Sequence, residues 1–177
     1  MILGLLLEKK VETAFRSPVL VAIMLIIFSF VLLYVEKVGR KYKTTDAIST
    51  IDSLIIGTAQ GIALIPGVSR SGITIAAGMW RGMKREEATR FAFLLSAPII
   101  AGAGGLQLLH VIKLIKMHTL VGNDVLFFVV GIISSTFFGY VTIKYFIQFV
   151  SKNSLKPFIV YRIVLGIAVL VITLFAR

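Results

Sequence analysis

Long apolar runs alternate with short, mostly basic connections along this chain. Pro18–Val35 is continuous and closes with Glu36, Lys37, Arg40, Lys41 and Lys43. At about 18 residues it is just long enough to cross a bilayer core. A proline at its start and charges at its end are ordinary helix boundaries. In the polar connection Lys41–Asp52, Thr45 or Asp46 can cap one short helix and Ser49 or Thr50 another. Ser53–Ile65 is apolar for only about 13 residues, short of a span. It stops at Pro66-Gly67, a second short stretch Ile73–Trp80 follows, and Arg81, Lys84 and Arg85 come next. Two half-length segments around a Gly/Pro/Ser tip predict a re-entrant hairpin or broken helix over residues 52–82. Such backbone persists at membrane depth only where protein or a water-filled cavity surrounds it.

Glu86 and Glu87 suit the positive end of the next helix. Arg90–Val111 then runs apolar through Ser96-Ala97-Pro98 and Gly102-Ala103-Gly104-Gly105, closed by Lys113, Lys116 and His118. Pro98 predicts a kink, and the small residues suit close helix packing. Asp124–Val150 carries a small-residue stripe of Gly131, Ser134, Ser135 and Gly139; Ser151–Lys156 is a polar turn and Pro157–Phe175 the last span. The expected fold is one all-α, polytopic membrane domain over residues 1–177, with roughly four transmembrane helices plus the hairpin. At the start, Ile2–Leu7 is too short to span, lacks a preceding basic region, and runs straight into Glu8, Lys9 and Lys10. It reads as the last turns of a helix that begins earlier, so an amino-terminal truncation is expected.

Composition agrees with a lipid solvent. Hydrophobic residues make up 58% of the 177 residues and charged ones 15%, and mean hydropathy is +0.97. Too few polar residues remain to cover a water-facing surface. The net charge of +11 is spread as blocks between apolar runs, which fits loops at anionic lipid heads and not a nucleic-acid groove. With the hairpin returning to its own side, Lys37–Lys43, Arg81–Arg90 and Lys152–Arg162 share one face. Lys9, Lys10, Arg16, Lys113, Lys116 and Arg177 share the other. The first face is richer in Lys and Arg, which places it in the cytoplasm. With no Cys in the chain, disulfides and thiol chemistry are excluded.

The segment Pro66-Gly67-Val68-Ser69-Arg70-Ser71-Gly72-Ile73-Thr74 is the candidate for chemistry. An arginine at mid-membrane costs about 2.5–3.5 kcal/mol on insertion scales. Arg70 has no acidic neighbour in sequence: Asp52 lies far behind it and Glu86 well ahead. A guanidinium flanked by hydroxyls suits an anionic ligand, since it can hold two phosphate oxygens at once. Ser69 and Ser71 offer donors on either side. A half-helix starting near Ser71–Gly72 would add its free N–H groups, with Thr74 one turn on and facing the tip. Gly67 and Gly72 permit tight turning and close approach. The competing reading is a cytoplasmic loop in which Arg70 is a topology signal and the serines are caps. The chain carries no Cys-x5-Arg loop, Asp-x-Asp motif or Gly-x4-Gly-Lys loop. His110 and His118 read as interfacial, Trp80 as an interface anchor, and no Asp/Glu cluster has metal-ligand spacing.

Residues 60–74, Gln60-Gly61-Ile62-Ala63-Leu64-Ile65 followed by this segment, resemble the second signature of the undecaprenyl-diphosphate phosphatase family of the bacitracin-resistance type. Every fixed position of that signature, Pro-Gly-x-Ser-Arg-Ser-x-x-Thr, is present. Arg85-Glu86-Glu87-Ala88, the Phe-x-Phe-Leu-Leu-Ser of 91–96 and Pro98 also fit. The resemblance covers essentially the whole chain, as the family's carboxy-terminal two-thirds. It implies an inverted-repeat fold whose two hairpin tips meet inside the bacterial inner membrane. It also implies hydrolysis of undecaprenyl diphosphate to the monophosphate, which recycles the lipid carrier of cell-wall synthesis. Arg70 would bind the diphosphate, with Ser69, Ser71 and Thr74 lining the site, and Gln60 stands where the other repeat carries a Glu. The family's first signature pairs Glu-x-x-x-Glu with a Pro-Val-Ser-Ser-like stretch ending in Gly-His. It would supply the ligands of a divalent metal, Mg or Ca, and the base. That combination is absent from these 177 residues. The chain by itself is therefore expected to be weak or inactive as a phosphatase. A non-catalytic lipid-phosphate binding or transport half, a homo-oligomer, and a complementing amino-terminal half stay open as alternatives.

Overall fold

The computed structural model describes residues 17–39, 42–117 and 122–175, with the side chains of 122 and 123 left aside. Expectations for Ile2–Leu7, Lys9, Lys10, Arg16, Arg40, Lys41, His118 and Arg177 fall outside this set. The elements run α1 (Pro18–Val38), α2 (Thr50–Ala59), α3 (Arg70–Trp80), α4 (Arg85–Lys116), α5 (Gly122–Lys152) and α6 (Lys156–Phe175). Short 3-10 turns at Thr45–Ala47 and Gln60–Leu64 precede and follow α2. No strand occurs among the described residues; a lone bridge joins Lys43 to Met83. α1, α4, α5 and α6 are each long and apolar enough to cross a membrane. The protein is an all-α, polytopic membrane protein.

The hairpin between α1 and α4 has the expected form. Its first arm is α2 with the 3-10 turn, its bend falls at residues 65–69, and its second arm is α3. A network at its foot holds the arms together. Ser49 caps α2: its Oγ accepts from the Asp52 N–H at 3.1 Å, and Asp52 Oδ2 accepts from the Ser49 N–H at 3.1 Å. This reciprocal capping satisfies two donors that a helix start otherwise leaves open. Asp52, buried, also takes Lys43 Nζ at 2.8 Å and, from the far end of α3, Arg81 Nε at 2.6 Å. These contacts, the Lys43 hydrogen bond foremost, then the Ser49 N–H and Arg81, hold its carboxyl well below the usual carboxylate range.

The connection 42–49 lies against the same foot. Tyr42 and Lys43 N–H groups donate to the Gly82 carbonyl at 3.0 and 2.9 Å, and Lys84 N–H donates to the Lys43 carbonyl at 3.0 Å. Thr45 N–H donates to Glu87 at 3.0 Å. Arg85 pairs with Glu36 at the end of α1 and donates to the Asn153 carbonyl at 2.8 Å beyond α5. Lys43, Arg81, Arg85 and Arg90 therefore do gather at one end of the molecule, beside the end of α5 at Lys152. Arg162 does not belong with them.

The core is centred on α3, where residues 73–79 are all buried. Phe28, Leu32 and Val35 of α1, Ala88 and Ala92 of α4, and Val150, Leu155 and Ile159 pack around it. α6 lies along α1. Gly166 makes that approach possible, because a Cβ there would stand 2.7 Å from Ile26 Cγ1 and 2.9 Å from the Ala22 carbonyl oxygen. Among the described residues, the glycines expected to permit close packing meet no neighbour: a Cβ at Gly102, Gly104, Gly105, Gly131 or Gly139 would find nothing within 4 Å. The outer half of α4 and nearly all of α5 are exposed. α4 stays helical through Pro98.

Candidate functional site

The hairpin bend carries the signature. A turn closed by Val68 N–H donating to the Ile65 carbonyl at 3.1 Å leads into α3. Gly67 has φ +92°, in the left-handed region, and its α-hydrogens face α1: a Cβ would stand 2.6 Å from the Val21 carbonyl oxygen and 3.0 Å from Met24 Cβ. Only glycine meets both demands.

Ser69 is the N-cap of α3; its Oγ accepts from the Gly72 N–H at 3.1 Å. Its hydroxyl also lies 3.4 Å from that of Ser71. α3 thus begins at Arg70, one to two residues earlier than the sequence suggests. This places Arg70 in the first turn, where an α-helix leaves its leading N–H groups without intrahelical partners. Arg70 is exposed, and no carboxylate pairs with it among the described residues. Asp52, the acid nearest in sequence behind it, is committed to Lys43 and Arg81 at the other end of α3.

Two predicted site residues stand back from these donors. Thr74 is 2% exposed, and its hydroxyl donates back to the Arg70 and Ser71 carbonyls at 3.1 and 2.9 Å. It points back toward the bend, but the hydroxyl is engaged with the first turn's own carbonyls, as hydroxyls in helices commonly are. Gln60 is half-buried at the start of the 3-10 turn and makes no hydrogen bond to the bend among the described residues. Gly72 is a close-approach position, where a Cβ would meet Phe28 Cε1 and Ser69 Cβ at 3.0 Å each. Ser69, Arg70, Ser71 and Gly67 are therefore brought together, with Thr74 behind them and Gln60 apart.

Sequence reasoning missed Arg162. Its place in the sequence groups it with the basic face, yet from α6 its Nη2 donates to the Gly67 carbonyl at 2.7 Å. Its guanidinium carbon stands 5.3 Å from the centroid of the Phe28 ring. The signal was present: Arg162 interrupts the otherwise apolar run 157–175, and an ionisable residue inside a span is a functional candidate by default.

The donors at the bend are guanidinium, hydroxyl and backbone N–H groups, which suit an anion. They do not suit Mg or Ca, which take oxygen ligands, mostly carboxylates. No metal-holding group of acids and histidines occurs among the described residues. Glu8 and Glu12 do have Glu-x-x-x-Glu spacing, but no Pro-Val-Ser-Ser or Gly-His follows them, and both lie outside the described residues.

The bacitracin resistance protein BacA family model matches residues 1–168. The chain belongs to the BacA family. It is 42% identical to an undecaprenyl-diphosphatase of Thermodesulfovibrio yellowstonii, over 98% of this chain and 65% of that protein. It is 42% identical to one from Moorella thermoacetica, over 98% and 63% of the two chains. For one from Rubrobacter xylanophilus the figures are 44%, 93% and 59%. The chain thus spans somewhat less than two-thirds of the length of these curated relatives. With four helices able to cross a bilayer, this BacA-family chain is a multi-pass protein of the bacterial inner membrane.

Proposed function

We propose that the bend at Pro66–Thr74 binds the diphosphate of undecaprenyl diphosphate, and that the protein hydrolyses this lipid to undecaprenyl phosphate and phosphate. This would recycle the carrier for cell-wall synthesis and underlie bacitracin resistance. The carrying observation is Arg70: an exposed guanidinium in the first turn of α3, beside two hydroxyls, with no described carboxylate paired to it. The names of the relatives, undecaprenyl-diphosphatase, support the same reading. Arg70 takes two phosphate oxygens at once. Ser69 and Ser71 donate from either side, and the first N–H groups of α3 face the remaining charge. Phosphoryl transfer depends mainly on such positioning and charge stabilisation.

No base or metal ligand stands among the described residues of the bend. The present residues therefore bind and orient the diphosphate and stabilise charge. Carboxylates and a base from a complementing amino-terminal half would complete the site. Hydrolysis by the 177-residue chain alone is accordingly expected to be slow.

The test is binding and turnover of undecaprenyl diphosphate by the purified chain in detergent. Arg70→Lys should weaken binding by about tenfold or more, because an ammonium cannot copy the two-point hold. Full affinity in Arg70→Ala would sink the reading. Phosphate release at the rate of the full-length relatives would show that the chain needs no complementing half.

A further inference from the structure

We infer that Arg162 is a second arginine of this site, a positioning residue that holds the signature bend in place and adds positive charge beneath it. The inference rests on the proposed diphosphate reading of the bend. Arg162 lies within an apolar helix able to span the membrane, and its side chain is only partly exposed. Three observations separate it from an ordinary structural cation.

First, its charge is left without an acid. Arg81, Arg85 and Arg90 each pair with a carboxylate, whereas Arg162 pairs with none among the described residues. Its compensation is one carbonyl and one aromatic face. Its Nε is buried with no hydrogen-bond partner, which costs stability. A group retained in such a setting is explained by an anion that arrives later.

Second, its one hydrogen bond goes to Gly67, three residues before Arg70. Gly67 is wedged against the Val21 carbonyl on one side and tethered by Arg162 on the other. Movement of the bend therefore passes directly to the Ser69 cap and the Arg70 side chain. Third, the Phe28 ring serves both parts. It stands against Arg162 and also against the Gly72 position in the first turn of α3. Arg162, Phe28 and that first turn form one packed unit, so the charge of Arg162 is felt where the anion would sit.

The expected signature is a split between stability and binding. Inorganic pyrophosphate and farnesyl diphosphate are titrated into the full 177-residue chain in detergent, alongside thermal melts. Arg162→Met keeps the stem's packing while removing the orphaned Nε and the uncompensated charge. Its melting temperature should hold or rise, and its affinity for both probes should fall about tenfold, the loss of a nearby positive charge and of the hold on Gly67. Arg162→Lys should recover part of that affinity, since an ammonium restores the charge and a donor to Gly67.

Wild-type affinity in Arg162→Met overturns the inference. So does a joint loss of melting temperature and affinity that Lys does not rescue, which marks a plain packing residue. If Arg162→Met fails to fold, Arg162→Lys and Phe28→Leu carry the test, and unchanged affinity in both overturns it. Arg70→Ala separates the two levels. Loss of pyrophosphate binding there, with Arg162→Met unaffected, removes only the role of Arg162. Unchanged binding in Arg70→Ala, or no binding by the wild type, removes the diphosphate reading and this inference with it.

Discussion

Replacing Gly67 with alanine is a sharp probe of the bend, because one methyl group is opposed twice. The residue sits at φ +92°. For an L-residue, a left-handed conformation costs roughly 1–2 kcal/mol. The added Cβ would also lie 2.6 Å from the Val21 carbonyl oxygen and 3.0 Å from Met24 Cβ. The nearer contact is backbone within a helix and cannot rotate aside, so α1 and the bend must separate. Overpacking of this kind costs about 1–3 kcal/mol. Together the two effects predict a loss of about 2–5 kcal/mol, a large share of the stability of a typical domain.

Separation of the bend from α1 also lengthens the Arg162–Gly67 hydrogen bond and tilts the Ser69 cap. Affinity for pyrophosphate should therefore fall along with the melting temperature. The control is Gly102→Ala. Gly102 lies within α4 with open space where the methyl would go, and helix propensity favours alanine by up to about 1 kcal/mol. That variant should melt at or above the wild-type temperature. Thermal melts and pyrophosphate titrations of both variants in one detergent decide the matter. A Gly67→Ala chain that melts and binds like the wild type would refute the described bend and its contact with α1.

The foot of the hairpin yields two more tests. Asp52 is held ionised by Lys43, the Ser49 N–H and Arg81, below its ordinary value of 3.8. A carboxyl depressed on folding lends stability above its unfolded value and loses it as pH falls toward the folded one. Melting temperature should therefore be flat for this group at neutral pH and drop below about pH 4. Asp52→Asn should melt lower at pH 7 with a shallower acid decline, and an unchanged acid limb would count against the network. For the Glu36–Arg85 pair, with both side chains mostly buried, Glu36→Gln should cost about 3 kcal/mol by leaving the guanidinium uncompensated. A double-mutant cycle with Arg85→Met should return a coupling of about 1–3 kcal/mol, and additivity would show that the pair does not tie α1 to α4.

The hairpin was legible because its cues are local. Apolar runs too short to span, Pro66-Gly67 between them, and Ser49 ahead of Thr50 are each read within a few residues, and the helices begin and end close to those marks. What joins the arms was not legible. Asp52 meets Arg81 across 29 positions and Arg162 meets Gly67 across 95, and no spacing rule reaches that far. Glycine was misread for the same reason. Gly102, Gly104 and Gly105 look like a packing surface but meet nothing among the described residues, while Gly166 lets α6 close on α1. Residue type announces that close approach is permitted; only the neighbouring helix decides whether it occurs. Thr74 was placed one turn beyond Arg70 correctly, but the sequence does not say that its hydroxyl is spent on the helix's own carbonyls.

The distribution of charge within the hairpin argues for an anion at the bend independently of any motif. Of the described carboxylates, Glu36, Asp52, Glu86 and Glu87 lie at the foot, engaged with Arg85, Lys43, Arg81, Arg90 and Thr45, while Asp46 lies in the turn that leads to the hairpin and Asp124 opens α5. Arg70 and Arg162 lie at the other end of α3. With a rise of 1.5 Å per residue, the 11 residues of α3 separate the two ends by about 16 Å. At an effective dielectric constant of 20, two unit charges attract by about 1 kcal/mol at 16 Å and about 4 kcal/mol at 4 Å. The carboxylates at the foot therefore do little to neutralise the arginines at the bend. Two guanidinium groups near one bend also repel each other. An arrangement that leaves them so is stable only if the cost is met elsewhere in the fold, or if a ligand with more than one negative charge completes it. A diphosphate, the ligand proposed above, has that charge.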